Sequence, residues 1–362
     1  SLAVLLVGFL IAPGIYFGIQ IIESGFWFVK EFLIYQVDLF RYPIASHGQP
    51  FYYHAVVLLI GCFPLLILAF NALFRRIDTA GDITYIRFMK VLFWVVLIVF
   101  SLVTTKIVHY SSMCYIPLAI LGGVWISNNG VLSKVQRALL GVVGFVWVVL
   151  FGLFGLLGMF PQYFQSFIQS NIKDPFVKEQ FSVIEEWSTV PLLIAVGLTY
   201  FVIKLLYKSD KASIASFLVF NALFVTVFLV STLPTIEKNI QGKWIKQLKS
   251  YQGKEMTHFT YGFKSFAHLY YTQIEGNDKL DPIRKIVLKD MGKENYKDVT
   301  QFDKRFFDAR VRDYIIENTK IPISISAKID KFEELDNNKH LKNVFKGNGY
   351  GVWERSSSPR IQ

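Results

Sequence analysis

Long apolar runs separated by short polar segments dominate the first two thirds of the chain. Runs of about 18 or more nearly uncharged apolar residues are typical of helices that cross a membrane. The pattern therefore predicts an all-α, polytopic membrane bundle of about seven spans. The predicted spans cover residues 2–22, 51–74, 91–105, 112–127, 139–160, 190–207 and 214–233.

The pattern changes after Pro234, where charged residues become frequent. Helical periodicity in "GKWIKQLKSYQ" and "RFFDARVRDYIIENT" alternates with strand-like stretches such as "EMTHFTYGF". "IPISISAKI" alternates apolar and polar positions as a half-buried strand does, and "KNVFKGNGYGVWER" predicts a Gly-rich turn before a last strand. We therefore divide the chain into a transmembrane helical domain, residues 1–233, and a small α/β domain, residues 234–362.

Lysine and arginine are concentrated in three of the loops between predicted spans: "RRIDTAGDITYIRFMK", "NNGVLSKVQRA" and "KLLYKSDKA". These loops fall on one side of the membrane if all the predicted spans exist, and basic short loops mark the cytoplasmic side. The opposite, extracytoplasmic side then receives residues 23–50, the turn 106–111, residues 161–189 and the α/β domain. Residues 23–50 and 161–189 mix apolar and charged positions at helical intervals, which predicts helices lying in the membrane interface around a cavity.

The composition indicates which kind of binding partner to expect. The chain has a net charge of +11, but 53% of its residues are hydrophobic and 18% are charged. Basic residues beside a bilayer are expected to meet membrane lipids, so the charge does not predict nucleic-acid binding. His258, His268 and His340 lack metal-ligand spacing, and each is interpreted as a satisfied surface or core histidine. The sequence assigns no metal site and no cofactor, and it leaves open whether the protein uses a divalent cation.

Ionisable residues occur at the predicted extracytoplasmic end of the spans, in the stretch "TKIVHY". A lysine or arginine at membrane depth costs about 2–3 kcal/mol and marks function by default. The other interpretation is that lysine reaches out to lipid headgroups and tyrosines form an interfacial belt. Arginine and lysine together suit a phosphate, which at this position is most simply a lipid headgroup. The residues in question are Arg41, His47, Tyr52, Tyr53, His54, Lys106, His109 and Tyr110.

Three passages carry a family resemblance: "GFWFVKEFLIYQVDLFRY", "GQPFYYHAVVLLIGCFPLL" and "FSLVTTKIVHYSSMCYIPLAILGG". They resemble the GT-C membrane glycosyltransferases of the aminoarabinose lipid A transferase type, which are related to the dolichyl-phosphate-mannose protein mannosyltransferases. The family motifs "EFF…H…RF", "GPFYYY…P" and "SxxKxxxY…LP" recur here in the same order over roughly residues 1–130. Two positions depart from the pattern: Gln36 stands where many relatives carry histidine, and "KIVHY" lacks the proline of "KLPxY".

The resemblance implies a bacterial inner-membrane enzyme that transfers a sugar from a polyprenyl (undecaprenyl) phosphate donor to a lipid, glycan or protein acceptor. It assigns Arg41, Lys106 and Tyr110 to the donor phosphate. The positions expected to line the cavity are Gln36, Tyr52, Tyr53, His54 and His109.

The resemblance also implies that the chain is the C-terminal portion of a longer protein. The family's acidic catalytic base is expected in an absent N-terminal half, so no catalytic residue is assigned and these 362 residues are expected to be inactive alone. The alternative is a non-catalytic transporter or flippase, or a scaffold for lipid-linked glycans. A transporter predicts polar residues deep within several spans, whereas the polar residues here cluster at one face.

Overall fold

The structure is a computed structural model that describes residues 2–42, 48–75, 83–129, 131–273, 280–296, 299 and 301–355. For residues 2–6, 9, 12, 24, 129 and 301–305 it describes the backbone alone. His47, named above, and Arg76 of the first basic loop lie outside the described residues. The chain forms two compact units: residues 1–150 with 194–224, and residues 151–193 with 225–362.

Helices account for the apolar part of the chain. The elements up to residue 249 are α1 (Leu2–Ser24), α2 (Trp27–Arg41), α3 (Tyr53–Gly61), α4 (Leu65–Phe74), α5 (Ile83–Leu102), a 3-10 helix (Val108–Cys114), α6 (Tyr115–Asn129), α7 (Lys134–Met159), α8 (Pro161–Asn171), α9 (Pro175–Gln180), α10 (Val190–Tyr207), α11 (Lys211–Glu237), a π-helical turn (Lys238–Gly242) and α12 (Lys243–Lys249). Both predicted amphipathic segments contain helices, α2 in one and α8 and α9 in the other.

Five helical stretches in the described part of the chain are long and apolar enough to cross a membrane. They are Ile83–Leu102, Val108–Asn128, Lys134–Met159, Val190–Tyr207 and Lys211–Lys249. Each contains one of the predicted spans or most of it, and α1 matches the predicted span 2–22. The fold class predicted from the sequence, a helical membrane bundle followed by a small sheet-containing domain, is confirmed.

The predicted span 51–74 is interrupted. It consists of α3 and α4, which are separated at Cys62–Pro64 because proline has no N–H to continue the helical hydrogen bonds. The Ile60 carbonyl next to the break accepts a hydrogen bond from Trp147 Nε1 at 3.0 Å. A helix break in a membrane segment is tolerated when a neighbouring helix satisfies the freed backbone group in this way.

The described ends of the three basic loops lie together at one end of the first unit. Asn71 at the end of α4 donates to Ser133 Oγ at 2.8 Å, just before α7. The Lys211 ammonium, at the start of α11, donates to the Ser127 carbonyl near the end of α6 at 2.6 Å. Gln136 donates to two backbone carbonyls of α4 and is fully buried. The predicted common side of these loops is therefore confirmed, which leaves the turn 106–111 at the other ends of α5 and α6.

The remaining elements form an α/β domain in the second unit. The strands are β1 (Thr257–Tyr261), β2 (Ile323–Lys328), β3 (Lys342–Gly347) and β4 (Tyr350–Glu354), in the order β1-β2-β4-β3. β1 and β2 are parallel, and the other two pairs are antiparallel. The helices are α13 (Ala267–Thr272), α14 (Asp281–Asp290), α15 (Gln301–Asn318) and α16 (Phe332–Asp336). The predicted Gly-rich turn joins β3 to β4, where Asn348 and Gly349 both have positive φ.

One expectation for the α/β domain is wrong. β2 was expected to be half buried, but its first five positions are all buried. The strand lies inside the sheet and is covered on both faces. Ile323 and Ile325 join a core with α14 and α15 on one face, while Ser326 on the other face accepts a hydrogen bond from Trp244 of α12. The alternating polar positions are serines small enough to be buried with a partner.

Candidate functional site

The end of α2 is hydrogen-bonded to the segment that precedes Lys106. The backbone N–H groups of Thr104 and Thr105 donate to the carbonyls of Phe40 and Leu39 at 3.2 and 3.1 Å. The last turn of a helix has carbonyls without helical partners, and these two bonds satisfy a pair of them. An isolated antiparallel bridge between Gly48 and Thr105 adds to the contact.

A side-chain bond reinforces this junction. The hydroxyl of Thr105, a residue that is 1% exposed, donates to the Tyr42 carbonyl at 2.6 Å. Arg41 lies in the last turn of α2, directly before Tyr42, and Lys106 directly follows Thr105. The two predicted phosphate ligands therefore lie on neighbouring segments at the same end of the first unit.

Lys106 is buried, with 5% of its surface exposed. Its ammonium donates to the Val103 carbonyl at 2.6 Å. No carboxylate of the described residues forms an ion pair with it. An ammonium has three hydrogens to donate, so Lys106 can still donate to a ligand.

His54 lies close to this ammonium, near enough to interact with it electrostatically. It is fully buried at the start of α3, and neither ring nitrogen has a hydrogen-bond partner in the described structure. A buried polar group without a partner is uncommon in a native protein and commonly indicates a missing water, ion or ligand. The Lys106 ammonium and the His54 imidazole are thus two neighbouring polar groups that a ligand oxygen could satisfy.

Aromatic rings connect His54 to the other predicted site residues. The Phe100 ring lies 6.3 Å from His54 and 5.2 Å from Tyr110, and Tyr110 lies 5.0 Å from His109. Tyr53 stacks edge-on against His54 at 5.2 Å. α3 and α5 both pack against the 3-10 helix that holds His109 and Tyr110.

The predicted site residues separate into two layers. Lys106 and His54 are buried, and Tyr53 and Tyr110 are half buried. The exposed members are Arg41, Gln36, Tyr52 and His109. Gln36 lies on α2 one turn before Arg41, and no bond in the described structure joins it to the buried pair.

Sequence reasoning missed Thr105 and Phe100, which hold the junction and the ring contacts together. Phe100 is one apolar residue among many in its span, so nothing distinguished it. Thr105 is a polar residue at the end of an apolar run, which is a weak indication of a hydrogen-bonding role. Within the described ranges, no three His, Cys, Asp or Glu side chains form a group that could hold a metal ion.

Sequence comparison identifies named relatives that match about a third of the chain. An undecaprenyl phosphate-alpha-4-amino-4-deoxy-L-arabinose arabinosyl transferase from Pectobacterium carotovorum is 34% identical over 122 residues, which is 33% of this chain and 21% of the relative. The enzyme of the same name from Erwinia tasmaniensis is 32% identical over 129 residues. No family model matches the chain.

Two crystal structures of ArnT from Cupriavidus metallidurans share the fold. The structure bound to undecaprenyl phosphate gives a TM-score of 0.57 over 98% of this chain at 14% identity, and the apo structure gives 0.58 over 99%. The chain has the GT-C fold of ArnT. Over 33% of its length it is also similar in sequence to the named arabinosyl transferases. These findings confirm the resemblance drawn from the three sequence passages. The chain covers 60% of each ArnT structure, so activity and substrates are matters for proposal.

Proposed function

We propose that this ArnT-like chain is part of a glycosyltransferase that takes a sugar from a polyprenyl phosphate and passes it to a lipid, glycan or protein acceptor. In this proposal Arg41, Lys106 and Tyr110 bind the donor phosphate. The named relatives transfer aminoarabinose from undecaprenyl phosphate, and one of the similar ArnT structures holds undecaprenyl phosphate. Both facts support an undecaprenyl-type donor here.

One observation carries the proposal: the hydrogen-bonded junction between the end of α2 and residues 104–105. It brings the helix turn that holds Arg41 beside the segment that holds Lys106. Without it, two cations separated by 64 positions of sequence would have no reason to act on one ligand. The buried ammonium without a carboxylate partner adds a reason to expect an anion.

The chemistry follows from the charge that develops during transfer. Breaking the bond between the sugar and the phosphate leaves negative charge on the leaving phosphate. Fixed cations stabilise that charge more in the transition state than in the ground state, which lowers the barrier. The guanidinium of Arg41 can donate to two oxygens, the ammonium of Lys106 supplies a point charge, and the Tyr110 hydroxyl donates one further bond.

The proposal includes an orientation. The site lies at the end of the first unit opposite the three basic loops, and basic loops mark the cytoplasmic side. The site, the donor and the α/β domain are then on the periplasmic side of a bacterial inner membrane. The acidic residue that activates the acceptor is not assigned to this chain, and neither Glu31 nor Asp38 of α2 is proposed for the role.

Binding of undecaprenyl phosphate by the purified chain tests the site. The activity is tested with a protein that also carries the preceding ArnT-type segment, by measuring transfer from a panel of radiolabelled undecaprenyl phosphate sugars. Arg41→Gln and Lys106→Gln should each weaken binding and lower transfer by about 100-fold or more. Lys30→Gln is the matched control, since Lys30 is an exposed cation on the same helix as Arg41.

Near-normal transfer in both variants would remove the phosphate assignment. Normal binding of the lipid phosphate together with no transfer from any sugar donor would instead favour the transporter or scaffold interpretation. Mass spectrometry of the labelled product identifies the acceptor.

A further inference from the structure

The α/β domain contains a cavity of about 570 Å³ along β1, the edge strand of its sheet. The turn after β1 and the helices α13, α14 and α15 supply its other walls. Its volume lies in the range of small-molecule sites, roughly 300–1,000 Å³. The polar lining residues considered below are His258, Lys264, His268, Arg284, Asp308 and Arg312.

The cavity favours an anion. Its described lining contains the cations of Lys264, Arg284 and Arg312 and one carboxylate, that of Asp308. Arg284 also pairs with Asp281 at its rim at 3.1 Å, so its charge is shared with a neighbour. Cations outnumber carboxylates in this described lining, and a concave surface with an excess of one charge concentrates ligands of the opposite sign.

Arg312 is held in place before any ligand arrives. It is 8% exposed, and its Nε and Nη2 both donate to one Asp313 oxygen, at 2.8 and 2.7 Å. Its guanidinium also lies over the Tyr261 ring, 4.2 Å from the centroid. Asp313 occupies the Nε side of the guanidinium and shares its charge, so the remaining N–H groups on Nη1 and Nη2 are the ones that can donate to phosphate oxygens.

Two imidazoles add unpartnered polar atoms to the wall. His258 and His268 are 3% and 9% exposed, and neither Nε2 of His258 nor Nδ1 of His268 has a hydrogen-bond partner in the described structure. Burial, followed by the charges of His268 and Lys254, lowers the pKa of His258 to about 4, and burial also lowers the pKa of His268. Both rings are therefore neutral at pH 7, and each can exchange a hydrogen bond with a ligand hydroxyl or phosphate oxygen.

Apart from Thr260 and Ser265, the rest of the lining is aromatic or apolar, and it includes Phe259, Phe263 and Phe266. Phosphate alone would need neither this surface nor the volume. A sugar ring presents apolar faces to aromatic walls and hydroxyls to groups such as the two imidazoles. We propose that this cavity binds a phosphorylated saccharide, with its phosphate at Arg312 and Lys264 and its sugar ring between the histidines and the phenylalanines. The proposal does not depend on the transfer reaction assigned to the helical unit.

Isothermal titration calorimetry on the full 362-residue chain in detergent tests the cavity. The probes are glucose 6-phosphate, glucose, inorganic phosphate and an acylated glucosamine phosphate in mixed micelles. We expect glucose 6-phosphate or the acylated probe to bind at least about tenfold more tightly than glucose or inorganic phosphate. Binding of the acylated probe alone would identify the ligand as a lipid headgroup, and binding of both would identify the saccharide phosphate itself.

Substitutions show whether the calorimetric binding signal comes from the cavity. Arg312→Gln and Lys264→Gln should each weaken binding, by about tenfold for Arg312→Gln. Lys264 is exposed, so its variant keeps the test valid if the buried Arg312→Gln variant fails to fold. Lys339→Gln, an exposed lysine outside the cavity, is the matched control and should bind as the parent does.

Three results would overturn the proposal: no binding of either phosphorylated probe, equal binding of glucose 6-phosphate and inorganic phosphate, or unchanged affinity in Lys264→Gln and Arg312→Gln. A loss of binding in Lys106→Gln alone would also overturn it, since the signal would then belong to the helical unit. The transfer assay can fail while this binding persists, so the two proposals are tested separately.

Discussion

Thr105→Val tests whether the junction beside Lys106 organises the candidate site. Valine keeps the shape of threonine and removes the hydroxyl that donates to the Tyr42 carbonyl at 2.6 Å. Thr105 is 1% exposed whereas Tyr42 is exposed, so water can replace the lost donor only from the Tyr42 side. The backbone bonds from Thr104 and Thr105 to α2 remain in the variant.

The size of the effect follows from the lost bond. Tyr42 is 59% exposed, so water can satisfy its carbonyl in part, and losing such a bond costs about 0.5–1.5 kcal/mol, which is about a 2- to 12-fold change in an equilibrium constant. Because two backbone bonds still hold the end of α2, we expect the lower half of that range. The affinity for undecaprenyl phosphate should therefore fall by about threefold, since Arg41 is held less firmly beside Lys106.

Two measurements are needed. Hydrogen exchange of the Thr104 and Thr105 amides reports the junction directly, because both amides donate to α2 carbonyls. Titration with undecaprenyl phosphate reports the site. Thr105→Ser retains a hydroxyl and should restore slow exchange and most of the affinity.

Thr104→Val is the second control, because it is the backbone amide of Thr104 that bonds to α2. The reasoning fails if Thr105→Val leaves amide exchange at 104–105 unchanged. It also fails if exchange accelerates as expected while the lipid phosphate binds with parental affinity.

Two further predictions concern stability. Gly155→Ala should lower the melting temperature of the detergent-solubilised chain by several degrees, because its Cβ would lie 2.6 Å from the Leu192 backbone nitrogen. Gly152→Ala is the control: its Cβ would meet nothing within 4 Å, so its melting temperature should not change. Equal melting temperatures of the two variants would contradict this. The free energy of unfolding should also fall by up to about 3 kcal/mol as the pH falls from about 6.5 to 4. The reason is that His258 takes up a proton in this range in the unfolded chain, whereas in the folded chain its pKa is about 4. His258→Gln should remove most of this slope in chemical denaturation, and a slope that persists in full would contradict the assignment.

The helical architecture could be predicted from the sequence because apolar run length is set by membrane thickness. Boundaries were less accurate. α5 begins at Ile83 rather than 91, so Arg87 and Lys90 lie in the helix instead of the loop. A lysine near a helix end can extend its ammonium to a polar partner, and that of Lys90 donates to the Arg75 carbonyl. The break before Pro64 lies inside the predicted span 51–74, since periodicity alone does not reveal where a helix ends.

The candidate site could be predicted as a set of residue types but not as an arrangement. Charge, position and the family resemblance pointed to Arg41, Lys106 and Tyr110. Their arrangement depends on the pairing of α2 with residues 104–105, a long-range contact that leaves no local signal. The α/β cavity was also missed, because its walls come from distant parts of the sequence. In addition, His258 and His268 have no metal-ligand spacing, and both were expected to have satisfied ring nitrogens. Each has a buried nitrogen without a partner in the described structure.

The burial of Lys106 changes what its charge can do. An exposed lysine at a membrane end gains little from an anion, because water already solvates it and salt screens the pair. A lysine that is 5% exposed and lacks a carboxylate partner among the described residues has lost most of that solvation. An anion that reaches the ammonium then replaces missing interactions rather than competing with water, and the unpartnered His54 nitrogens beside it gain from the same ligand. Because Arg41 is exposed, we expect the proposed donor phosphate to meet Arg41 first and then to be partly desolvated against Lys106.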